Sequence, residues 1–171
     1  MAPGPDYAAA NRPQASITAR AAVFTILPVS GSRLRLSIFL NVFDVHVNRV
    51  PVGGVVKVCE FRKGGFMNAM KPESVLNNEQ TLITIDAGGY EVSFKQIAGL
   101  LARRIVCNLK VGDRVERGQR IGLIKFGSRV DVLVPAAANL KVKTGARVKG
   151  GSTVLAVLPE QALNEASAVV A

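Results

Sequence analysis

The only histidine of the 171-residue chain, His46, lies in the stretch FDVHVNRVP, between Asp44 and Asn48. Imidazole is the side chain whose ordinary titration range falls nearest neutral pH, which makes His46 the natural carrier of any acid–base step there. In an extended chain, side chains alternate between faces. Asp44, His46 and Asn48 then share one face, and Phe43, Val45 and Val47 the other. A polar trio on a strand is commonly a solvent-facing side. The same face upstream, however, carries Ile38, Leu40 and Val42, and a polar trio that continues a buried face reads as a site. A second candidate is FGSRV, Phe126 to Val130. Gly127 has no side chain, so a neighbouring hydroxyl can approach its carbonyl, and its conformational range permits a strained turn directly before Ser128. A Gly-Ser step alone usually marks a turn. Another, Gly151-Ser152, aligns by an internal repeat with Gly118-Gln119 and reads as structural.

The elements that must position these residues read as strands. RLRLSIFLNVFDVHV, from Arg33, is rich in β-branched and aromatic residues without glycine or proline and predicts one strand, bent midway. Pro51 and Gly53-Gly54 end it, VVKVCEF forms the next strand, and MNAMKPESVLNNEQ reads as a loop or short helix. QTLITI, GGYEVSFKQIAG and LLARRIVCNL resume the β pattern. VGDRVERGQRIGLI (111–124) returns as TGARVKGGSTVLAV (144–157), with Gly112 matching Gly145, Val115 matching Val148 and Gly118 matching Gly151. One such unit cannot bury its apolar face alone, so the copies are expected to pack on each other. KFGSRVDVLVP between them reads as a hairpin with its tip near Gly127 and Ser128. The organisation expected is an arm at 1–32, a single domain at 33–159 and a tail at 160–171.

Composition narrows the function classes. With 49% hydrophobic and 20% charged residues the chain is globular, and 16 glycines with 8 prolines suit short strands and turns better than a helical bundle. No run of 18 apolar residues occurs and the start MAPGPDYAAANRPQ lacks the pattern of a secretory signal, so an intracellular protein without a membrane-spanning helix is expected. Cys59 and Cys107 are too far apart for a Cys-x-x-Cys motif and one histidine leaves little for zinc, so no metal is expected and the thiols read as structural. The net charge of +10 seeks anions, either nucleic acid or an anionic bilayer. Without Trp, and with scattered basic residues, the nucleic-acid reading is the weaker one.

SIFLNVFDVHVNRVPVGG, NNEQ, QIAGLLARRIV and RIGLIKFGSRVDVLVP, in this order, resemble the short bacterial form of phosphatidylserine decarboxylase, a pyruvoyl-dependent enzyme made as a proenzyme. The resemblance spans Leu36 to Leu158. It implies that Ser128 attacks the carbonyl of Gly127 to give an ester, and that β-elimination then splits the chain into a β chain, 1–127, and an α chain, 128–171. Hydrolysis of the dehydroalanine would leave a pyruvoyl group at Ser128 and release ammonia. Side chains include no good electron sink, so removing a carboxyl group from an amino acid needs such a carbonyl. The pyruvoyl group would form a Schiff base with the serine amine of the lipid head group, giving phosphatidylethanolamine. His46 would then protonate the former α-carbon, Asp44 and Asn48 would orient the ring or the substrate, and Arg49 would hold the lipid phosphate. Asn78 and Glu79 match the family's Asn-Glu pair and are expected near the pocket, with Gln80 where arginine is common. The family's upstream Pro-Ala-Asp-Gly run is replaced by APGPDY, which makes Asp6 the candidate base for self-cleavage and suggests that the usual N-terminal segment is lacking.

The fold expected is mainly β, a sandwich or barrel-sandwich hybrid of hairpins whose repeat resembles biotinyl and lipoyl domains. Three alternatives follow: a carrier domain modified at Lys125, although Met-Lys-Met and Asp-Lys-Ala are absent, a self-processing-deficient homologue, or a basic nucleic-acid-binding β domain. The partners expected are a phospholipid substrate and the anionic inner face of the cell membrane, approached from the cytoplasm without a span, along with the two chains of one precursor and a homo-oligomer. Lipid charge attracts each basic residue near the surface by about 1 kcal/mol.

Overall fold

Leu34, Leu36, Ile38 and Leu40 alternate with Arg33, Arg35, Ser37 and Phe39, and this period of two builds one of the central strands of a mainly β protein. The computed structural model of the chain describes residues 14–16, 21–44, 46–101, 104–125 and 127–159. In chain order the strands are β1 (Gln14–Ser16), β2 (Ala21–Val29), β3 (Arg33–Leu40), β4 (Val47–Arg49), β5 (Gly54–Arg62), β6 (Gln80–Asp86), β7 (Glu91–Ile97), β8 (Ile105–Cys107), β9 (Arg114–Val115), β10 (Arg120–Ile124), β11 (Ser128–Pro135), β12 (Asn139–Leu140), β13 (Arg147–Val148) and β14 (Val154–Val157). A four-residue helix, α1 (Ser74–Asn77), interrupts them after β5. Asp6 and the tail at 160–171 lie outside the described residues. The stretch read as an arm contributes β1 and β2, and Ala21 and Val23 belong to the core.

Eight antiparallel strands form one curled sheet in the order β13-β2-β3-β11-β7-β6-β5-β9. Two three-stranded sheets, β1-β14-β12 and β4-β10-β8, complete the fold. The core collects Leu36, Ile38 and Leu40 of β3 with Val130, Val132 and Val134 of β11, Phe94 of β7, and Ile121 and Leu155 from the small sheets. Burial of this apolar surface is the main favourable term holding the layers together.

The sequence repeat has a structural counterpart, but its copies do not pair with each other. Val115 of β9 and Val148 of β13 cap opposite edges of the large sheet, and β10 and β14 are the middle strands of different small sheets. The connections correspond in detail. Gly112 N donates to Val56 O and Gly145 N to Val23 O, while Val56 N and Val23 N donate to the carbonyls of Asp113 and Ala146. Register shifts fall at matching places, between Val23 and Thr25 in β2 and between Val56 and Val58 in β5. Nothing in this arrangement ties the repeat to a biotinyl or lipoyl domain.

Two element-level expectations are corrected. The strand expected from Arg33 to Val47 stops at Leu40, because Asn41 and Asp44 close a turn: Asn41 N donates to Asp44 Oδ2 at 2.7 Å and Asp44 N to Asn41 O at 2.9 Å. Local Asn and Asp acceptors compete with the ladder. The hairpin expected around Gly127 and Ser128 is absent, since β10 and β11 belong to different sheets. With both its faces largely buried, β11 runs between β3 and β7, and both of its edges are taken.

On the sheet face opposite the core, Arg129 and Asp131 are buried as an ion pair, Nε to Oδ1 2.5 Å and NH2 to Oδ2 2.9 Å. Arg129 also donates to Ser37 Oγ at 2.8 Å and lies 5.0 Å over the Phe24 ring, so the cluster ties β2 and β3 to β11 beside Ser128. Burial pushes the nearby Lys95 ammonium below its ordinary value, while Asp131 opposes that shift. Between β5 and β8, the free thiols Cys59 and Cys107 approach to 3.9 Å. Burial first, and then Cys107, pushes the Cys59 thiol up to about 11.

Candidate active site

Ser128 opens β11 opposite Leu40, the last residue of β3. It is fully buried, and its Oγ has no hydrogen-bond partner among the described residues. The preceding Gly127 has φ +65°, a left-handed conformation that side chains rarely tolerate. Its carbonyl lies so close to Gly99 that a Cβ there would fall 1.6 Å from the oxygen. A buried hydroxyl without a partner thus adjoins a carbonyl held in a tightly packed turn.

Gly99 is presented by the segment that follows β7, and that segment is fastened by Asn78. The buried Asn78 amide donates to Ala98 O at 2.7 Å and to Met67 O at 2.8 Å, and accepts from Met67 N at 3.0 Å. Ala98 N donates to Glu79 O at 2.9 Å. The Asn78-Glu79 pair therefore reaches the Gly127 carbonyl indirectly, through Ala98 and Gly99.

Because the turn at Asn41–Asp44 breaks the strand, the trio Asp44, His46 and Asn48 does not share one continuous strand face. Asp44 closes the turn with its carboxylate. His46 lies beyond it, half-buried, with Nε2 3.3 Å from Val42 O. Its carbonyl accepts from Ile124 N at 3.2 Å, which extends the β4–β10 ladder back to the histidine. Two residues on, Asn48 is buried and receives a 2.7 Å bond from Gln96 Nε2 at its Oδ1. Gln96 pairs with Val130 across β7–β11, so it faces the core beside Val130 and diagonally from Ser128. That bond seats β4, which follows His46 and carries Asn48, against the inner face of the large sheet. Asn48 Nδ2 and Gln96 Oε1 are buried and, like Ser128 Oγ, have no partner among the described residues.

Gln96 and Gly99 were not among the residues the sequence singled out. A signal existed for Gln96: it alternates with Val92 and Phe94 on a face that must be apolar. Gly99 had none, because its requirement comes from a carbonyl brought close only by the fold.

Arg49 is anchored to the scaffold at one of its nitrogens. Its NH1 donates to Gly118 O at 2.7 Å, and its Cδ and Nε lie 3.1 and 3.3 Å from where a Cβ on Gly151 would stand. It fills the space between the matching turns of the two repeat copies. Lys125 follows β10 and is exposed, outside any hairpin. Among the described residues no group of His, Cys, Asp and Glu converges as a metal site.

The rim at this end of the large sheet is apolar. In the turn after β3, Phe43 is 97% exposed and Val42 is partly so. Leu100 and Leu101, directly after Gly99, are exposed too. A cleft of about 300 Å³ between Phe39, Asn41, Phe43, Asp44 and Arg147 opens here.

The sequence model of a family described as phosphatidylserine decarboxylase matches residues 22–156. A phosphatidylserine decarboxylase proenzyme of Solibacter usitatus is 47% identical over 152 residues, covering 89% of this chain and 74% of the relative. Proenzymes of the same description from a Wolbachia of Brugia malayi and from Burkholderia mallei are 47% and 46% identical over 76% and 75% of this chain. The chain spans 57% and 60% of the length of those two relatives. No solved structure matches it.

Proposed function

This chain belongs to the phosphatidylserine decarboxylase family, a family of carboxy-lyases, and from that we propose that it decarboxylates phosphatidylserine to phosphatidylethanolamine after cutting itself between Gly127 and Ser128. The observation that carries the reading is the buried, unpartnered Ser128 Oγ beside a carbonyl pinned in a left-handed glycine turn. In the first step the Oγ–C bond to Gly127 forms, the peptide C–N bond breaks and the hydroxyl proton ends on the nitrogen of residue 128. Elimination then removes the Cα proton of residue 128 to a base, forms the Cα=Cβ bond of dehydroalanine and breaks the Cβ–Oγ bond, which leaves a carboxylate on Gly127. Hydrolysis of the dehydroalanine, through its imine tautomer, consumes one water and releases ammonia.

A pyruvoyl group at position 128 supplies the electron sink that the decarboxylation requires. The residues around it fit such a group: Ser128 is its source, and Asn48 Nδ2 and Gln96 Oε1 are buried polar atoms with capacity to spare nearby. His46 is assigned as the proton donor to the substrate carbon, with its backbone held by the bond from Ile124 N. Asp44 keeps the turn before it closed, and Asn78 with Glu79 holds the segment under the Gly127 carbonyl. Asn48 is assigned to the substrate. Arg49 is kept for the lipid phosphate, with its NH1 anchored on the Gly118 carbonyl.

Docking at an anionic bilayer is supported by the net charge of +10 and by the exposed Val42, Phe43, Leu100 and Leu101 at the same end as Ser128. Among the described residues no helix is long and apolar enough to cross a membrane.

Intact-mass measurement of the purified chain tests the reading. Two fragments, 1–127 and 128–171, are expected, summing to the parent plus water minus ammonia, together with carbon dioxide release from phosphatidylserine vesicles. Ser128→Ala is expected to leave one chain and no turnover. A parent chain that stays whole, or an alanine variant that still splits after Gly127, would overturn it.

A further inference from the structure

We propose that Gln96 is a positioning residue for the self-cleavage of this chain, holding Asn48 with one end of its amide, as the structure shows, and accepting the Ser128 hydroxyl at the other when the serine side chain turns toward it, a bond not formed in the structure. The proposal rests on the self-processing reading above and adds to it a residue that is neither nucleophile nor proton carrier.

The buried polar atoms on this face are complementary. Ser128 Oγ carries a hydroxyl proton with no acceptor, and Gln96 Oε1 is an acceptor with no donor, both shut away from water. Buried polar atoms are nearly always paired, and exceptions gather where chemistry needs them. The β7–β11 register sets the two side chains diagonally on one face, a spacing that a side chain as long as glutamine can bridge. The other end of the amide is fixed, since Gln96 Nε2 donates to Asn48 Oδ1 at 2.7 Å. A glutamine anchored at its nitrogen has little freedom in where its oxygen points, so the oxygen can select one rotamer of a serine that has no other partner.

A serine whose proton is held by Gln96 Oε1 keeps its lone pairs free for the Gly127 carbon. The amide oxygen is too weak a base to keep the proton. It orients the hydroxyl, and the proton still finishes on the nitrogen of residue 128 as the C–N bond breaks. The effect therefore belongs to the acyl shift and not to the elimination after it. This timing separates a positioning role from simple packing.

The test compares the parent chain with Gln96→Met and Gln96→Glu, each checked for folding by thermal melting. Self-cleavage is followed by intact mass with and without hydroxylamine, which cuts an ester after Gly127 but leaves a peptide bond intact. Gln96→Met keeps the side-chain volume without the amide. It is expected to cleave at least tenfold more slowly, and its uncut chain should resist hydroxylamine because the ester has not formed. Gln96→Glu keeps an oxygen for Ser128, and the Asn48 amide can turn over so that Nδ2, which has no partner among the described residues, donates to the carboxylate in place of the lost bond; this variant should recover most of the rate. A methionine variant that cleaves at the parental rate overturns the proposal, as does one that accumulates a hydroxylamine-sensitive chain. Should the methionine variant not fold, a folded glutamate variant that fails to cleave overturns it instead. A parent chain that never splits would defeat the self-processing reading itself, and this proposal with it.

Discussion

A methyl group at position 99 would claim nearly the same space as the carbonyl oxygen of Gly127, which is 1.6 Å from the Cβ position. Neither neighbour can yield cheaply, since the oxygen belongs to the backbone and Ala98 is tied on both sides by Asn78 and Glu79. Gly99→Ala must therefore shift the Gly127 carbonyl away from Ser128 Oγ. We expect self-cleavage to slow by at least tenfold, a barrier increase of about 1.4 kcal/mol or more, as read by intact mass over time. Parental cleavage by a folded Gly99→Ala chain would show that the contact does not set the geometry. At this scale the sequence was legible where chemistry marks a residue by type. A lone histidine, a Gly-Ser step and an Asn on the histidine's side of the strand could all be named from FDVHVNR and FGSRV. It was not legible where a residue matters through what the fold brings to it, as with Gly99 beneath a distant carbonyl and Arg49 between two turns.

Strand identity was read from composition, and composition is blind to partners. Arg33–Leu40 and Gln80–Asp86 were found because their alternation is strong. The break after Leu40 was missed because β-branched and aromatic residues continue past it, and the turn is set by the side chains of Asn41 and Asp44. The supposed hairpin at Gly127 failed for a related reason. β11 has buried residues on both faces and needs a neighbour on each edge, which β3 and β7 supply from far away in sequence. Between β5 of the large sheet and β8 of a small one, the Cys59 thiol offers a test of how these sheets pack on each other. Its value is raised from 9.0 to about 11 by burial and by Cys107. Between those values the unfolded chain loses the thiol proton while the folded chain keeps it, so stability falls as pH rises through that window and is unaffected below it. Parent and Cys59→Ser chains, melted under reducing conditions from pH 8 to 11, should diverge in slope only in the upper part of that range. Parallel slopes throughout would mean that the thiol is not held neutral by the fold.

At the scale of the whole molecule, β4 to β10 form a set of strands inserted between β3 and β11, which meet antiparallel with Leu40 opposite Ser128. The equivalent junction in the inserted set is the tight connection from β6 to β7, where Asp86 faces Glu91. The Gly127–Ser128 bond thus lies where a hairpin turn has been opened to admit the insertion, and cutting it severs no ladder. In a chain cut at that bond, β11 would still lie between β3 and β7 and β14 beside β1, so the proposed α chain would stay woven into the β chain. The opened turn also explains why the apolar rim gathers there. Phe43 and Val42 leave the end of β3, and Leu100 and Leu101 leave the end of β7, on either side of the same bond.

That placement makes a joint prediction about charge and apolar contact. The net charge of +10 should draw the molecule to anionic vesicles with a strength that falls as salt shortens the screening length, about 10 Å at 0.1 M and about 3 Å at 1 M. The exposed rings and aliphatic side chains should add a contribution that salt does not weaken, since burial of apolar surface carries no charge. Phe43→Ser and Leu100→Ser are therefore expected to lower sedimentation with phosphatidylserine-containing vesicles several-fold at every salt concentration while leaving the salt slope unchanged. Neutral phosphatidylcholine vesicles should hold the parent weakly and lose the difference between salt concentrations. If the serine variants bound like the parent, the rim at Ser128 would not be the docking face. The scattered basic surface alone would then bring the enzyme to its lipid.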